Sequence, residues 1–175
     1  MLEEPISLVP YDPAWPGKFE AERVQLEAAL APWLRGPLDH IGSTAVPGLL
    51  AKPIIDIMAP VRDLPSSIEA RLAVGPLGYQ YFPYRSDVMH WFCKPSADRR
   101  THHLHLVPVT STLWKARLLF RDYLRRTPAA ASEYARLKIE LAERHRLDRE
   151  AYTEAKSSFI EAVVQRAALN EEVVQ

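Results

Sequence analysis

Apolar positions change their spacing partway along this chain, and the change divides it into a strand-rich part and a helical part. Ile6 to Val9 reads as a short strand or an extended arm. Pro13-Ala14-Trp15-Pro16 opens a helix to about Leu34, with Phe19, Val24, Leu26, Ala29, Leu30 and Trp33 on one face and Pro32 distorting or ending its last turn. Leu38 to Ile41 reads as a strand that stops at Gly42-Ser43. Pro53 to Val61 is the clearest strand: Ile54, Ile55, Ile57 and Met58 are apolar on both faces, the pattern of an internal strand. Pro65 to Ala73 reads as a short helix, started by proline and stopped by Gly75-Pro76. Gly78 to Tyr84, Val88 to Lys94 and Thr101 to Val109 read as three more strands. Arg85-Ser86-Asp87 and Pro95 to Arg100 are their turns.

From Ser111 onward the spacing is helical. Ser111 caps a helix to about Arg126, Pro128 starts one to about Arg146, and Asp148 caps a third to about Ala168. Asn170 to Gln175 should fray. No repeat, low-complexity run or linker interrupts residues 1–175. The expectation is one α+β domain: a mixed sheet (about 36–110) flanked by helices, with a helical C-terminal part (about 111–168).

Composition narrows the function classes. The chain's 175 residues are enough for a core burying roughly 70% of the unfolded surface. Lys+Arg and Asp+Glu are equal at 22 each, so bulk charge points to neither a membrane nor a long nucleic acid. Cys93 is the only cysteine, which excludes an internal disulfide and suits a reducing cytosol. The start Met1-Leu2-Glu3-Glu4-Pro5 has no signal-peptide character, and no long apolar run follows, so a cytoplasmic protein is expected. The sequence sets no oligomeric state.

The candidate chemistry lies in three segments and a scatter of cations. Gly42-Ser43 can cradle a phosphate: glycine allows close approach and serine supplies a hydroxyl. It is also the dipeptide of an ordinary strand-to-loop turn. Asp56 sits in Ile-Ile-Asp-Ile, where both faces should be covered. A carboxylate there needs a metal, a cation or a proton, and a structural pair with a lysine or arginine would serve as well. Alternation puts Ile54, Asp56 and Met58 on one face. In Thr101-His102-His103-Leu104-His105-Leu106-Val107, His103 and His105 share a face and can bind a metal or a phosphate. The run resembles part of a histidine-triad hydrolase motif, but Val107 occupies the third alternating position. Arg85, Lys94, Arg121, Lys138 and Lys156 are candidates to neutralise phosphate charge. Lys138 and Lys156 each follow a tyrosine by one helical turn, which also suits a lysine snorkelling beside a core tyrosine. Asp98-Arg99-Arg100 reads as a solvated turn, and Cys93 and the four tryptophans as packing.

Taken together, these segments resemble the GrpB (glutamate-rich protein B) family, whose domain is also appended to some dephospho-coenzyme A kinases. The matching residues are Val9 to Trp15, His40 to Gly48, Lys52 to Ile57, His102 to Val107, Leu119 to Arg125, Tyr134 to Lys138 and Ala151 to Lys156. They span nearly the whole chain. The resemblance implies a nucleotidyltransferase-like fold, with Gly42 and Ser43 as the Gly-Ser signature and Asp56 as a metal-binding acid. Met58 stands where that superfamily usually has a second acid, and His103 and His105 stand on the late strand that often carries a third. A divalent ion is implied, Mg²⁺, Mn²⁺, Zn²⁺ or Ni²⁺, with histidine favouring the last three. The expected ligand is a nucleotide or another phosphorylated small molecule. Nucleotidyl transfer, a non-catalytic binding module and a His-dependent metal phosphohydrolase are the readings to separate.

Overall fold

Prolines and small polar residues decide where each element starts, and the apolar stripes decide how the elements stack. The computed structural model describes residues 5–173. Helix α1 spans Trp15–Leu30, with Pro16 in its first turn, where the missing N–H costs nothing. Trp15, Phe19, Leu26 and Leu30 form its buried stripe. The helix stops before Pro32, and Leu34 bridges Val61 instead.

Five strands make one sheet: β1 Asp39–Ile41, β2 Ile55–Val61, β3 Gln80–Phe82, β4 His90–Pro95 and β5 Arg100–Pro108. Their order is β1-β2-β5-β4-β3. β2 runs parallel to β5, and the other pairs are antiparallel. The parallel pair needs a long crossover. It is supplied by the four-residue helix α2 (Ala70–Ala73), β3 and β4.

Strand alternation sorts the side chains onto two faces. One face carries Ile55, Ile57, Phe92, Leu104 and Leu106 and packs under α1 and α2. Each of these fully buried side chains contributes about 1.5–3 kcal/mol of burial. The other face carries Ile41, Met58, Cys93 and Val107, covered by Leu113, Trp114 and Leu118 of α3 (Thr112–Arg126). Ser111 caps α3 by accepting from the Trp114 amide at 3.2 Å. α4 (Pro128–Arg144), α5 (Arg149–Glu154) and α6 (Ser157–Val173) complete the helical layer. Leu124, Ala130 and Tyr134 of that layer pack on Val46 and Leu49, in the connection between β1 and β2.

Several boundaries differ from the sequence expectation. Residues 6–9 take the second of the two expected forms, an arm with a single bridge, Val9 to Ala51. Pro65 starts a 3-10 turn, so helix α2 is confined to Ala70–Ala73. β3 is only three residues because Tyr84 already turns back on Phe82. The helix expected from Asp148 to Ala168 is broken. The Ala155 amide closes α5 on Ala151, and the Lys156 carbonyl starts α6 by accepting from Ile160. The break is accompanied by the Lys156 ammonium lying over the Tyr152 ring at 4.0 Å. α6 continues through Asn170 to Val173 instead of fraying, anchored by buried Val163 and Ala167. Met1 to Glu4, Val174 and Gln175 lie outside the described residues. Among the described residues no helix is long and apolar enough to cross a membrane.

Candidate functional site

The register of β2 against β5 sets Asp56 beside His103 and Met58 beside His105. Because alternation is the same in both strands, all four side chains stand on the α3 face. His103 Nδ1 donates to Asp56 Oδ1 at 2.9 Å, and His105 Nε2 approaches the same oxygen at 3.4 Å. The far nitrogens, His103 Nε2 and His105 Nδ1, are buried without a partner among the described residues. One ligand atom from each of Asp56, His103 and His105 lies within 4.8 Å of the others.

Electrostatics keeps this cluster anionic at its centre. Burial pushes the Asp56 carboxyl up, but hydrogen bonds from His103 and His105 outweigh it and hold the group well below the usual carboxylate range. Burial, then the Arg117 charge, pushes His105 down to about 3, so its imidazole is neutral at physiological pH. The carboxylate is 27% exposed, open enough for a ligand to reach.

Gly42 explains why the second oxygen fits. It has φ 72° and ψ −174°, a region that side-chain-bearing residues avoid. A Cβ there would lie 2.5 Å from Asp56 Oδ2. The Gly-Ser turn therefore touches the carboxylate, although the two are fourteen residues apart in sequence. The turn itself is tightened by the Ala45 and Val46 amides, and Arg125 of α3 clamps it by donating to the Ala45 carbonyl at 2.8 Å.

Lysines gather beside Ser43. Lys138 is buried at 2% exposure, donates to Ser43 Oγ at 3.0 Å and to the Leu50 carbonyl, and lies over the Tyr134 ring at 4.9 Å. Burial, then the charge of Lys156, pushes Lys138 down to about 7. Lys156 and Lys52 both approach the Tyr152 ring, at 4.0 and 4.4 Å. Burial, then the Lys52 charge, lowers Lys156 to about 8, while Asp56 opposes that shift. The Lys52 charge acts on Lys156 and the Lys156 charge on Lys138, a run of positive charge that suits an anion.

Of the residues singled out from sequence, Gly42, Ser43, Asp56, His103, His105, Lys138 and Lys156 come together. Lys94 does not: it pairs in register with His102 and so faces α1, where it donates to the largely buried Glu22 at 2.7 Å. Arg121 is also occupied elsewhere. It donates to Asp39 at 2.8 Å, to Asp122 at 2.7 Å and to the His40 carbonyl at 3.1 Å, pinning β1 to α3. Arg85 lies in the β3–β4 turn, with its charge acting on Arg117. Arg100 is not a free turn residue: its guanidinium sits over Trp91 at 5.3 Å. Arg117 and Lys52 were missed. Arg117 follows Leu113 by four residues and Trp114 by three, the spacing that places it on the sheet-facing side of α3.

A family model described as GrpB protein matches residues 5–166. A UPF0157 protein of Pseudomonas aeruginosa is 41% identical over 172 residues, covering 94% of this chain and 69% of that protein. The crystal structure of conserved protein GrpB from Enterococcus faecalis superposes with a TM-score of 0.84 at 32% identity, covering 94% of this chain and 99% of the other. A cytoplasmic RNA terminal U-transferase superposes with a TM-score of 0.52 at 15% identity, over 78% of this chain and 43% of its own length, a likeness of fold alone.

Proposed function

Because this chain belongs to the GrpB family and has a nucleotidyltransferase-like fold, we propose that it binds the phosphates of a nucleotide or similar phosphorylated small molecule beside one divalent ion. The carrying observation is that Asp56, His103 and His105 share one face with the Gly42-Ser43 turn and its buried lysine, Lys138. Asp56, His103 and His105 would hold the ion. The fit is supported by their spacing. With metal–ligand bonds of about 2.0–2.2 Å, neighbouring ligand atoms sit roughly 3–3.5 Å apart, and the contacts to Asp56 are 2.9 and 3.4 Å. Two imidazoles and one carboxylate suit Zn²⁺, Mn²⁺ or Ni²⁺ better than Mg²⁺. Such an ion would supply Lewis-acid polarisation of a phosphoryl oxygen. The chain's own residues do the rest. Ser43 Oγ and the Lys138 ammonium donate to phosphate oxygens, and Lys156 adds charge from the α5–α6 break. Arg121 and Arg125 position the turn without touching ligand.

The test is calorimetric titration of Zn²⁺ and Mn²⁺, and separately of inorganic pyrophosphate. Asp56→Ala and His103→Ala should each weaken metal binding at least tenfold, and Lys138→Met should weaken pyrophosphate at least tenfold, with circular dichroism unchanged. Unchanged metal affinity in Asp56→Ala would sink the metal role.

A second reading, a binding module without turnover, is favoured by Met58. It occupies the second-acid position, is fully buried, and packs with Met89, Trp91 and Val107. Incubation with each nucleoside triphosphate and several divalent ions decides between them: pyrophosphate release supports transfer, and binding without any product supports the module.

A further inference from the structure

Two arginines stand on the side of Asp56 away from the lysines, and phosphate binding at Ser43 and Lys138 uses neither. Arg117 of α3 points Nη2 at Met89 Sδ, 3.6 Å away, which is a weak acceptor. Its Nη1 is buried with no hydrogen-bond partner among the described residues. Arg85 sits in the β3–β4 turn at φ 47°. A bulky residue is strained on that backbone, which Asn or Gly would tolerate, and such outliers gather at binding sites. No hydrogen bond or ion pair of the Arg85 side chain occurs among the described residues. The Arg85 charge opposes that of Arg117, which Asp56 and then the Tyr84 phenol favour. Asp56 Oδ1 is already taken by His103 and His105. Arg117 thus carries a buried Nη1 without a hydrogen-bond partner among the described residues, with the exposed Arg85 near enough for the two charges to act on each other.

Sheet order places this pair opposite the lysines. Ser43, the Lys138 partner, follows β1, while Met89, the Arg117 partner, precedes β4. Between those strands lie β2 with Asp56 and β5 with His103 and His105. Beside the arginines, Tyr84 is 44% exposed, with its ring 5.7 Å from Trp91, whose ring is 5.1 Å from His103. An exposed ring near two guanidiniums is the equipment for an aromatic base carrying a phosphate.

We propose that Arg117 and Arg85 form a second anion subsite, across Asp56 from Lys138 and Lys156, for the phosphate of a nucleoside monophosphate whose base lies against Tyr84. This rests on the function proposed above and extends it: the protein takes two phosphorylated groups, one on each side of the Asp56 cluster.

The experiment titrates adenosine 5′-monophosphate and inorganic pyrophosphate into the full chain, separately and each with the other saturating. Both should bind wild type, and saturating pyrophosphate should change the monophosphate affinity less than about threefold. Arg117→Gln and Arg85→Asn should each weaken the monophosphate at least tenfold and leave pyrophosphate unchanged. Arg85→Asn keeps the fold, because Asn tolerates positive φ, so its loss reads charge alone. Tyr84→Ala should weaken the monophosphate, and adenosine should bind at least tenfold more weakly than its monophosphate. Monophosphate that competes with pyrophosphate, is lost in Lys138→Met and ignores Arg117→Gln overturns the second subsite and leaves the first. So does binding of pyrophosphate without binding of the monophosphate. Absence of both overturns the subsite together with the proposed function.

Discussion

Gly42→Ala tests the packing of the Gly-Ser turn against Asp56 directly. The added Cβ would meet Asp56 Oδ2 at 2.5 Å and Asp56 Cβ and Cγ at 3.1 Å. Ordinary contact needs about 3.4 Å or more, so the carboxylate must shift by roughly 1 Å. The backbone adds its own cost, because φ 72° with ψ −174° is nearly reserved to glycine. That strain is about 1–3 kcal/mol. For a domain of this length each kcal/mol moves the melting temperature by roughly 2–4 °C. The variant should therefore melt roughly 2–12 °C below wild type. Moving the carboxylate also breaks the 2.9 Å hydrogen bond from His103, so Zn²⁺ should bind at least tenfold more weakly. Gly17→Ala is the control: Gly17 is in α1, and a Cβ added there would meet nothing within 4 Å. Alanine at that position should be neutral or stabilising by up to about 1 kcal/mol. Differential scanning fluorimetry and calorimetric Zn²⁺ titration read both variants. A Gly42→Ala protein that melts within about 1 °C of wild type and binds Zn²⁺ equally well would refute the reasoning.

Three other outcomes follow from the same geometry. Lys138, held near pH 7 by burial, should take up close to one proton when pyrophosphate binds at pH 8 and far less at pH 6; titrations in buffers of different ionisation enthalpy measure this, and equal uptake at both pH values would refute it. His40, buried and stacked on Phe19, falls from 6.5 to about 4. The unfolded chain then binds a proton that the folded chain refuses, so His40 should contribute a drop in stability of roughly 3 kcal/mol at most as pH falls from about 6.5 toward 4, and His40→Gln should make the slope shallower by that share in urea unfolding. Lys94→Met strands the buried Glu22, so it should cost roughly 3 kcal/mol of stability while pyrophosphate affinity stays unchanged, and a weakened pyrophosphate titration would return Lys94 to the site.

Much of the fold was legible because its signals are local. The unbroken apolar run of β2, the Ser111 cap and the Pro128 start carry their own reasons, and the structure places those elements close to the expected residues. Boundaries that depend on distant partners were not legible. Nothing near Lys156 in sequence announces a helix break: no proline or glycine stands between Asp148 and Ala168, and the Tyr152–Lys156 spacing suits an unbroken helix equally well. The cations divided in the same way. Lys94 and Arg121 carry the right chemistry, but alternation and helix phase turn one toward Glu22 and fix the other on Asp39.

By itself the sequence determined the identity of the reactive groups and their order: a Gly-Ser turn, one acid in an apolar strand, two histidines at alternating positions, and a methionine where a second acid would stand. Residue type and strand period are local properties, and they are written in the chain. Only the tertiary structure decided which of these groups meet. The parallel β2–β5 register brings Asp56 to His103 across 47 residues, and α4 delivers Lys138 to Ser43 across 95. Register and helix docking are set by the burial of whole faces, a property of the assembled sheet and helices that no short window of sequence contains.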